Sequence, residues 1–494
     1  MAYNINMKKN IAIAGFGVEG RENLRYFYKK FPGAEFWIFD ENLKSAKGIE
    51  NSLKSDDFEF VEQDFSRNIS RKAVVFGCDI SRFLEPEFSG KFDLILRSPS
   101  LAPKKISRQA LSPSGEISSA TNWFFANCPA KIIGITGSKG KGTSCSFTAE
   151  ILRKYLAKNG EKNQVFLVGN IGIPALSELE KIHENDAVVY ELSSFQLWDL
   201  AKSPNFSGAT IIEPDHLDVH KDFEEYVAAK SNIFAKQTEE DFAIFNASDQ
   251  NTREMAERSA GKKISYPDEN FANISGENIC FADKKIIAKN DLKLPGEHNV
   301  RNAMLAVDLA YFFAKNREDF DEKTFMESAA EGLKSFAGLD HRLKFTGEKN
   351  GVKFYDDSIA TTPGSAIAAI EAFSKNAKIL ILGGHDKGAD YAELGEKIRE
   401  NGHVKIVVAM GGNSRKIIDE ISLKIDTKTK KIIEFSPEKL KGFENPFSEI
   451  LAEIQPEFMD GDVVILSPAA ASFDLFKNYA DRGNKFAEAA KSLR

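Results

Sequence analysis

Apolar and polar positions along the chain alternate between short apolar runs and helix-sized amphipathic stretches, the pattern of repeated βα units. Residues 10–15 read as a buried strand, 21–31 as a helix and 35–40 as a second strand. Apolar runs at 72–76 and 92–96 continue the alternation, and Ser98-Pro99-Ser100 is a turn at the end of the last. The pattern then restarts. A strand at 131–136 runs through a glycine-rich loop into a helix over 143–159, followed by strands at 165–168, 187–191, 209–212 and 242–246. Residues 248–294 read as short β-like runs rich in Lys, Asp and Asn, with helix resuming after Pro295-Gly296. A glycine-containing linker at 337–342 leads to strands at 352–355, 379–382, 405–409 and 462–466. The expected protein is α/β with three domains, 1–127, 128–337 and 338–494.

Composition narrows the classes. At 494 residues the chain is too long for a single core, and 42% apolar with 28% charged residues is ordinary globular usage. A net charge of −7 without basic stripes argues against a nucleic-acid partner. Cys78, Cys128, Cys145 and Cys280 form no Cys-x-x-Cys pair, so neither a thiolate zinc site nor a disulfide framework is indicated, and a reducing cytoplasm fits. No apolar run approaches a membrane span and residues 1–10 lead into no apolar signal core, so neither export nor membrane insertion is expected.

The strongest local signal is Thr136-Gly137-Ser138-Lys139-Gly140-Lys141-Gly142-Thr143, between a predicted strand and a helix. Small residues let backbone N–H groups face an anion and the helix N-terminus adds positive potential. Lys141 can reach β- and γ-phosphates, and a hydroxyl beyond it can hold Mg²⁺. Ile135 stands where a strict Walker loop has its first glycine. Gly15-x-Gly17-x-x-Gly20, with Asp40 twenty residues on, reads as a dinucleotide fingerprint for NAD or as a tight turn without ligand. Asp40 could accept hydrogen bonds from a ribose or from a base N–H. The strings 191–196 (Glu-Leu-Ser-Ser-Phe-Gln) and 213–220 (Glu-Pro-Asp-His-Leu-Asp-Val-His) each follow a predicted strand, where open sheets bind ligands. Glu191 and His216 there are either metal ligands or a helix N-terminal carboxylate and a satisfied loop histidine. Lys230, taken alone, reads as a solvated helix lysine.

In order along nearly the whole chain, the motifs resemble the Mur ligase family. The carriers are Gly-Ile-Thr-Gly-Ser-Lys-Gly-Lys (134–141), Glu-Leu-Ser-Ser-Phe-Gln-Leu (191–197), Pro-Asp-His-Leu-Asp (214–218), Gly-Glu-His-Asn-Val-Arg-Asn (296–302) and Asp-His-Arg (340–342). Asp-Ser-Ile-Ala-Thr-Thr-Pro (357–363), Gly-Gly-His-Asp-Lys-Gly (383–388) and the string 466–479 resemble the branch that adds D-glutamate. The resemblance implies a Rossmann-like N-terminal domain for a UDP substrate, a central P-loop ATPase domain, and a Rossmann-like C-terminal domain that binds the amino acid and closes over the substrates. It replaces NAD with UDP-N-acetylmuramoyl-L-alanine: Gly15 and Gly17 would face the diphosphate, Asp40 the uracil, and Asn170 and Ser193 the muramoyl-alanine side. Residues Gly137 to Thr143, with Asn299, Asn302, Arg342 and Asp357, would bind ATP. Thr143 and Glu191 would hold one Mg²⁺, and His216 with a carbamylated Lys230 a second. Thr361, Lys387, Ser472 and Tyr479 map to a D-glutamate pocket. Lys141, His216 and Lys230 are the implied catalytic residues.

The implied reaction transfers the γ-phosphoryl of ATP to the alanyl carboxylate, and the amine of D-glutamate attacks the acyl phosphate, in cytoplasmic peptidoglycan precursor synthesis by a monomer. Gly142 departs from the family's usual Ser or Thr in the direction of folylpolyglutamate synthases, and Glu19 stands where many relatives have a small hydroxyl residue near the diphosphate. Glu213, Ile359 and Tyr479 are further departures. A folylpolyglutamate synthase and a catalytically silent nucleotide sensor are the alternatives. The complete first domain with Asp40 speaks against the former, and Lys141, Glu191, His216 and Lys230 together against the latter.

Overall fold

The computed structural model describes residues 10–40, 60–61, 73–77, 86–160, 163–170, 173–217, 219–294, 296–373, 376–386, 388–424 and 430–493. Lys387, expected in the amino-acid pocket, Asp218 and the segment before Asn10 lie outside the described residues. The chain divides into two compact units, Met1–Ala288 with Arg301–Leu333, and Lys289–Val300 with Lys334–Arg494.

The first unit holds two parallel six-stranded sheets. One is built from β1 (Asn10–Ala14), β2 (Glu35–Asp40), β3 (Phe60–Val61), β4 (Ala73–Gly77), β5 (Phe92–Arg97) and β6 (Leu111–Ser119), in the order β3-β4-β2-β1-β5-β6. The other is built from β7 (Ile132–Thr136), β8 (Val165–Gly169), β9 (Ala187–Glu191), β10 (Phe206–Ala209), β11 (Phe242–Asn246) and β12 (Lys262–Tyr266), in the order β12-β11-β10-β7-β9-β8. Every residue of β7 and of β9 is buried, as befits parallel strands covered on both faces. A small antiparallel sheet, β13 (Ala272–Ser275), β14 (Asn278–Phe281) and β15 (Lys284–Ala288), follows.

The two large sheets share one apolar cluster. It runs from Ile11, Leu24 and Phe27 through Trp123, Phe124 and Phe125 to Val188, Tyr190 and Met255. Helix Ala120–Asn127 is its spine: the Trp123 ring sits 4.8 Å from that of Phe27, and the Phe124 and Phe125 rings each lie 5.4 Å from that of Tyr190.

The second unit carries β16 (Lys344–Lys349), β17 (Val352–Asp356), β18 (Lys378–Gly383), β19 (Val404–Met410), β20 (Lys431–Phe435) and β21 (Val463–Leu466), in the order β16-β17-β21-β18-β19-β20. Only β16 runs antiparallel to its neighbour. β16 and β20, the two edge strands, add to the four strands read from sequence.

Two sequence expectations are corrected. The strand expected at 209–212 spans Phe206–Ala209. Thr210 leaves the sheet because its hydroxyl ties the glycine-rich loop, donating to the carbonyls of Lys139 (2.6 Å) and Thr136 (3.3 Å). Within 248–294, expected as β-like throughout, Gln250–Ala256 is helical, because the Asp249 side chain accepts the Thr252 N–H (2.9 Å) and caps it. No helix among the described residues is long and apolar enough to cross a membrane.

Candidate active site

Strand β7 delivers the chain into the loop at the C-terminal edge of its sheet, and the loop's shape demands glycine twice. Gly137 has φ +148°, and a Cβ there would stand 1.8 Å from Thr210 Oγ1. Gly140, at φ +83°, opens helix Lys141–Lys158, and its Cβ would stand 2.3 Å from Asn302 Oδ1. Asn302, buried on helix Glu297–Lys315, therefore packs directly on the loop.

The loop's own polar groups are tied down. Ser138 Oγ accepts the Glu213 N–H (2.9 Å), donates to the Glu213 carbonyl (2.8 Å) and lies 2.8 Å from the Tyr226 hydroxyl. Lys139 turns outward to Glu213 (2.9 Å). Lys141 folds back, its Nζ donating to the carbonyls of Gly137 (2.8 Å) and Ser138 (2.9 Å). Thr143, in the first helical turn, is buried. Helix Lys141–Lys158 begins two residues before the position expected for it, because left-handed Gly140 caps it.

Lys230 is no solvated helix lysine. It is 1% exposed on helix Phe223–Ser231, with Nζ donating to the Gly137 carbonyl (2.8 Å) and to Thr136 Oγ1 (3.4 Å). The Tyr226 ring, one turn earlier, lies 4.8 Å from the amine. Burial and then the Lys141 cation hold this amine well below the usual lysine range, against the opposing pull of Asp215 and Glu191. The sequence shows Tyr226 at i−4 to Lys230, a spacing that places both on one helix face, yet this tyrosine was not foreseen as part of the site.

Glu191 ends β9 and is 4% exposed, its Oε1 accepting from Asn170 Nδ2 (3.0 Å). Asn170 follows Gly169, whose φ of +98° carries the chain past the Glu191 carbonyl. Ser193 forms a capping box with Gln196 at the next short helix. His216 adopts φ +54°, is half exposed, and stands 4.8 Å from the Phe195 ring. His220, missed from sequence, anchors that loop. It is buried with Nε2 2.9 Å from Ser194 Oγ and its ring stacked on Phe195, and its N–H reaches the His216 carbonyl (2.9 Å). Among the described residues no three His, Cys, Asp or Glu side chains come together as a metal cluster.

In the first sheet Gly15 (φ +93°) packs on Ser98, and a Cβ on Gly20 would meet the Gly15 carbonyl at 2.2 Å, whereas Gly17 faces open space. Asp40 holds the loop, accepting the Phe16 N–H at 2.5 Å. In the second unit, Asp357 accepts from Ser467 Oγ (2.7 Å) and the Leu343 N–H (3.2 Å), and burial pushes its carboxyl up to about 7 although Arg342 pulls it down. Ser472 is buried, Thr361 exposed, and Tyr479 opens the last helix half exposed while its carbonyl accepts from Ser358 Oγ (2.8 Å). Asn299 is buried on the same helix as Asn302.

A glycine-rich loop on a parallel sheet, a buried carboxylate at the neighbouring strand end and a buried lysine make up this centre. The models of two family domains match the chain, Mur ligase middle domain over residues 135–310 and Mur ligase, glutamate ligase domain over 341–470. The chain belongs to the Mur ligase family, whose members are ATP-dependent amide-bond-forming ligases. A relative from Acetivibrio thermocellus, named UDP-N-acetylmuramoylalanine--D-glutamate ligase, is 35% identical, with 98% of this chain and 97% of that protein covered. Among solved structures, MurF from Acinetobacter baumannii matches with a TM-score of 0.58 at 16% identity, covering 93% of this chain and 91% of that one. MurF from Thermotoga maritima in complex with ADP matches at 0.53 and 16% identity, covering 98% and 95%.

Proposed function

We propose that this chain joins D-glutamate to UDP-N-acetylmuramoyl-L-alanine at the expense of ATP. The supporting observation is the coincidence of the glycine-dependent loop 137–143 with buried Lys230 and Glu191, in a chain similar to ligases of that name over nearly its full length. Residues 1–127 would bind the UDP substrate, 128–337 ATP, and 338–494 the amino acid, at Thr361, Lys387, Ser472 and Tyr479.

The loop N–H groups and the N-terminus of helix Lys141–Lys158 would cradle the ATP phosphates. Lys141 would leave its two loop carbonyls and neutralise the oxygens of the transferring phosphoryl group, which otherwise repel the incoming alanyl carboxylate. Thr143 and Glu191 would offer hard oxygen donors to one Mg²⁺, and a second would be held by an imidazole nitrogen of His216 and the carbamate oxygens of a carbamylated Lys230. Bound Mg²⁺ supplies charge neutralisation at the phosphates. Carbamylation needs the neutral amine, whose lone pair attacks the carbon of CO₂ with loss of a proton, and burial favours that form of Lys230. Asn170 would keep the Glu191 carboxylate oriented. The acyl phosphate then takes the amine of D-glutamate and releases phosphate.

Phosphate release that requires ATP, UDP-N-acetylmuramoyl-L-alanine and D-glutamate together tests the assignment. Release with a folate or with ATP alone would count for the alternatives. Lys141→Ala is expected to lose phosphoryl transfer by about a thousandfold while the affinity for the UDP substrate stays within twofold of wild type.

A further inference from the structure

We propose, resting on the UDP-substrate reading above, that Glu19 is a specificity-determining residue of the diphosphate site, serving as a neutral carboxylic acid that donates a hydrogen bond to the bound diphosphate. Glu19 lies in the first turn of helix Val18–Lys30, immediately after the Gly15-Phe16-Gly17 turn. That turn sits where β1 and β5 end, Gly15 packed against Ser98 and Gly17 open, so the helix N-terminus behind it points its free N–H groups at the place an anion would take.

Glu19 is partly exposed as a residue, but its Oε1 is shut away from water and has no hydrogen-bond partner. A buried polar oxygen left unpaired is costly, and such an atom beside a ligand-binding turn marks a group whose partner arrives with the ligand. Two groups from neighbouring elements act on it. Arg97 at the end of β5 is fully buried but already committed to both carboxylate oxygens of Asp199 and to the carbonyls of Phe195, Ser98, Pro99 and Leu101. Tyr190 on β9 couples to Glu19 electrostatically and is neutral. On its own helix the amide of Asn23, one turn on, is buried and unpaired as well.

Burial pushes the Glu19 carboxyl up to about 7 in spite of Arg97. Below that pH the group is an O–H donor. Above it, a carboxylate would set a like charge against the diphosphate. An arriving anion raises the carboxyl further, so binding at neutral pH takes up a proton. The sign follows: affinity for the UDP substrate is greatest below about pH 7 and falls as the pH rises through it.

The test is calorimetric titration of the full-length protein with UDP-N-acetylmuramoyl-L-alanine, without ATP, from pH 6 to 8.5 in buffers of different ionisation enthalpy. This ligand's diphosphate is esterified at both ends and does not titrate in that range. Wild-type affinity should fall by up to tenfold per pH unit above neutrality with proton uptake. Glu19→Gln, an amide donor without a charge, should bind independently of pH and without uptake, and Glu19→Ala should bind about tenfold more weakly at pH 6. Thermal melting confirms that both variants fold. A pH-independent wild-type affinity without proton uptake, or a Glu19→Gln profile that follows wild type, overturns the proposal and leaves the UDP reading standing. Folded wild-type protein that binds no UDP substrate at any pH overturns both.

Discussion

Lys230 carries the most consequence of any single residue. Its amine reaches only uncharged oxygens, those of Gly137 and Thr136, at 2.8 and 3.4 Å. An ammonium kept there would be both desolvated and repelled by Lys141, which is why burial favours the free amine. Lys230→Ala is expected to reduce kcat by about a hundredfold or more. Thorough CO₂ removal should lower wild-type activity reversibly, and ¹³C-bicarbonate should give a carbamate resonance that is absent from Lys230→Ala. Full activity of that variant, or indifference to CO₂, would return the residue to a packing role. The lysine's burial was not legible in the sequence, because Val227-Ala228-Ala229 does not say which face of a helix meets the core. The loop lysine Lys141 was legible, since strand, glycines and hydroxyl frame it locally.

At the scale of elements, the glycine-rich loop is over-determined by neighbours distant in sequence. Asn302 closes on Gly140, Thr210 on Gly137, and Tyr226 on Ser138. Gly140→Ala combines a left-handed backbone, about 1–2 kcal/mol for a residue with a Cβ, with a clash against the Asn302 side chain. It should raise the KM for ATP at least about tenfold and leave the KM for the UDP substrate nearly unchanged, as steady-state kinetics can show. Equal effects on both substrates would mean that the loop serves the whole unit and not the nucleotide. The three-residue displacement of β10 from its expected place has the same origin. Thr210, Ile211 and Ile212 have the β-branched composition of a strand, but the hydroxyl of Thr210 is spent on the loop, and sequence pattern cannot see that demand. Motifs at strand ends were legible because glycine and lysine there have few other uses. The supports were not, because Tyr226 and His220 look like ordinary helix and loop residues, and Asn302 stands out only through the family resemblance.

Across the whole molecule, the recurrence of βα units made the α/β class legible, and the three six-stranded sheets follow the three stretches of chain in which strands were read. What could not be read is how the first two sheets are joined. Arg97 meets Asp199, 102 residues further along, with Nε 2.8 Å from Oδ2 and both partners engaged twice. The arginine side chain is fully buried and the aspartate 24% exposed, so Arg97→Ala should lower stability by about 3 kcal/mol, measured by denaturant unfolding. A loss under about 0.5 kcal/mol would show that the apolar cluster alone holds the junction.

Helix Ala120–Asn127 gives one set of aromatic rings to each side, Trp123 to Phe27 and Phe31 of helix Val18–Lys30 and its cap, Phe124 and Phe125 to Tyr190 of β9. On the proposed assignment, a cut after residue 127 would separate two binding tasks without separating two cores. Exchange of the first 127 residues between related ligases, whether by recombination or by design, carries half of a hydrophobic seam into a host that supplies the other half. Such a chimaera would need these rings to match as well as the proposed substrate pocket, so on that assignment the first 127 residues pass to another ligase only together with their half of the seam.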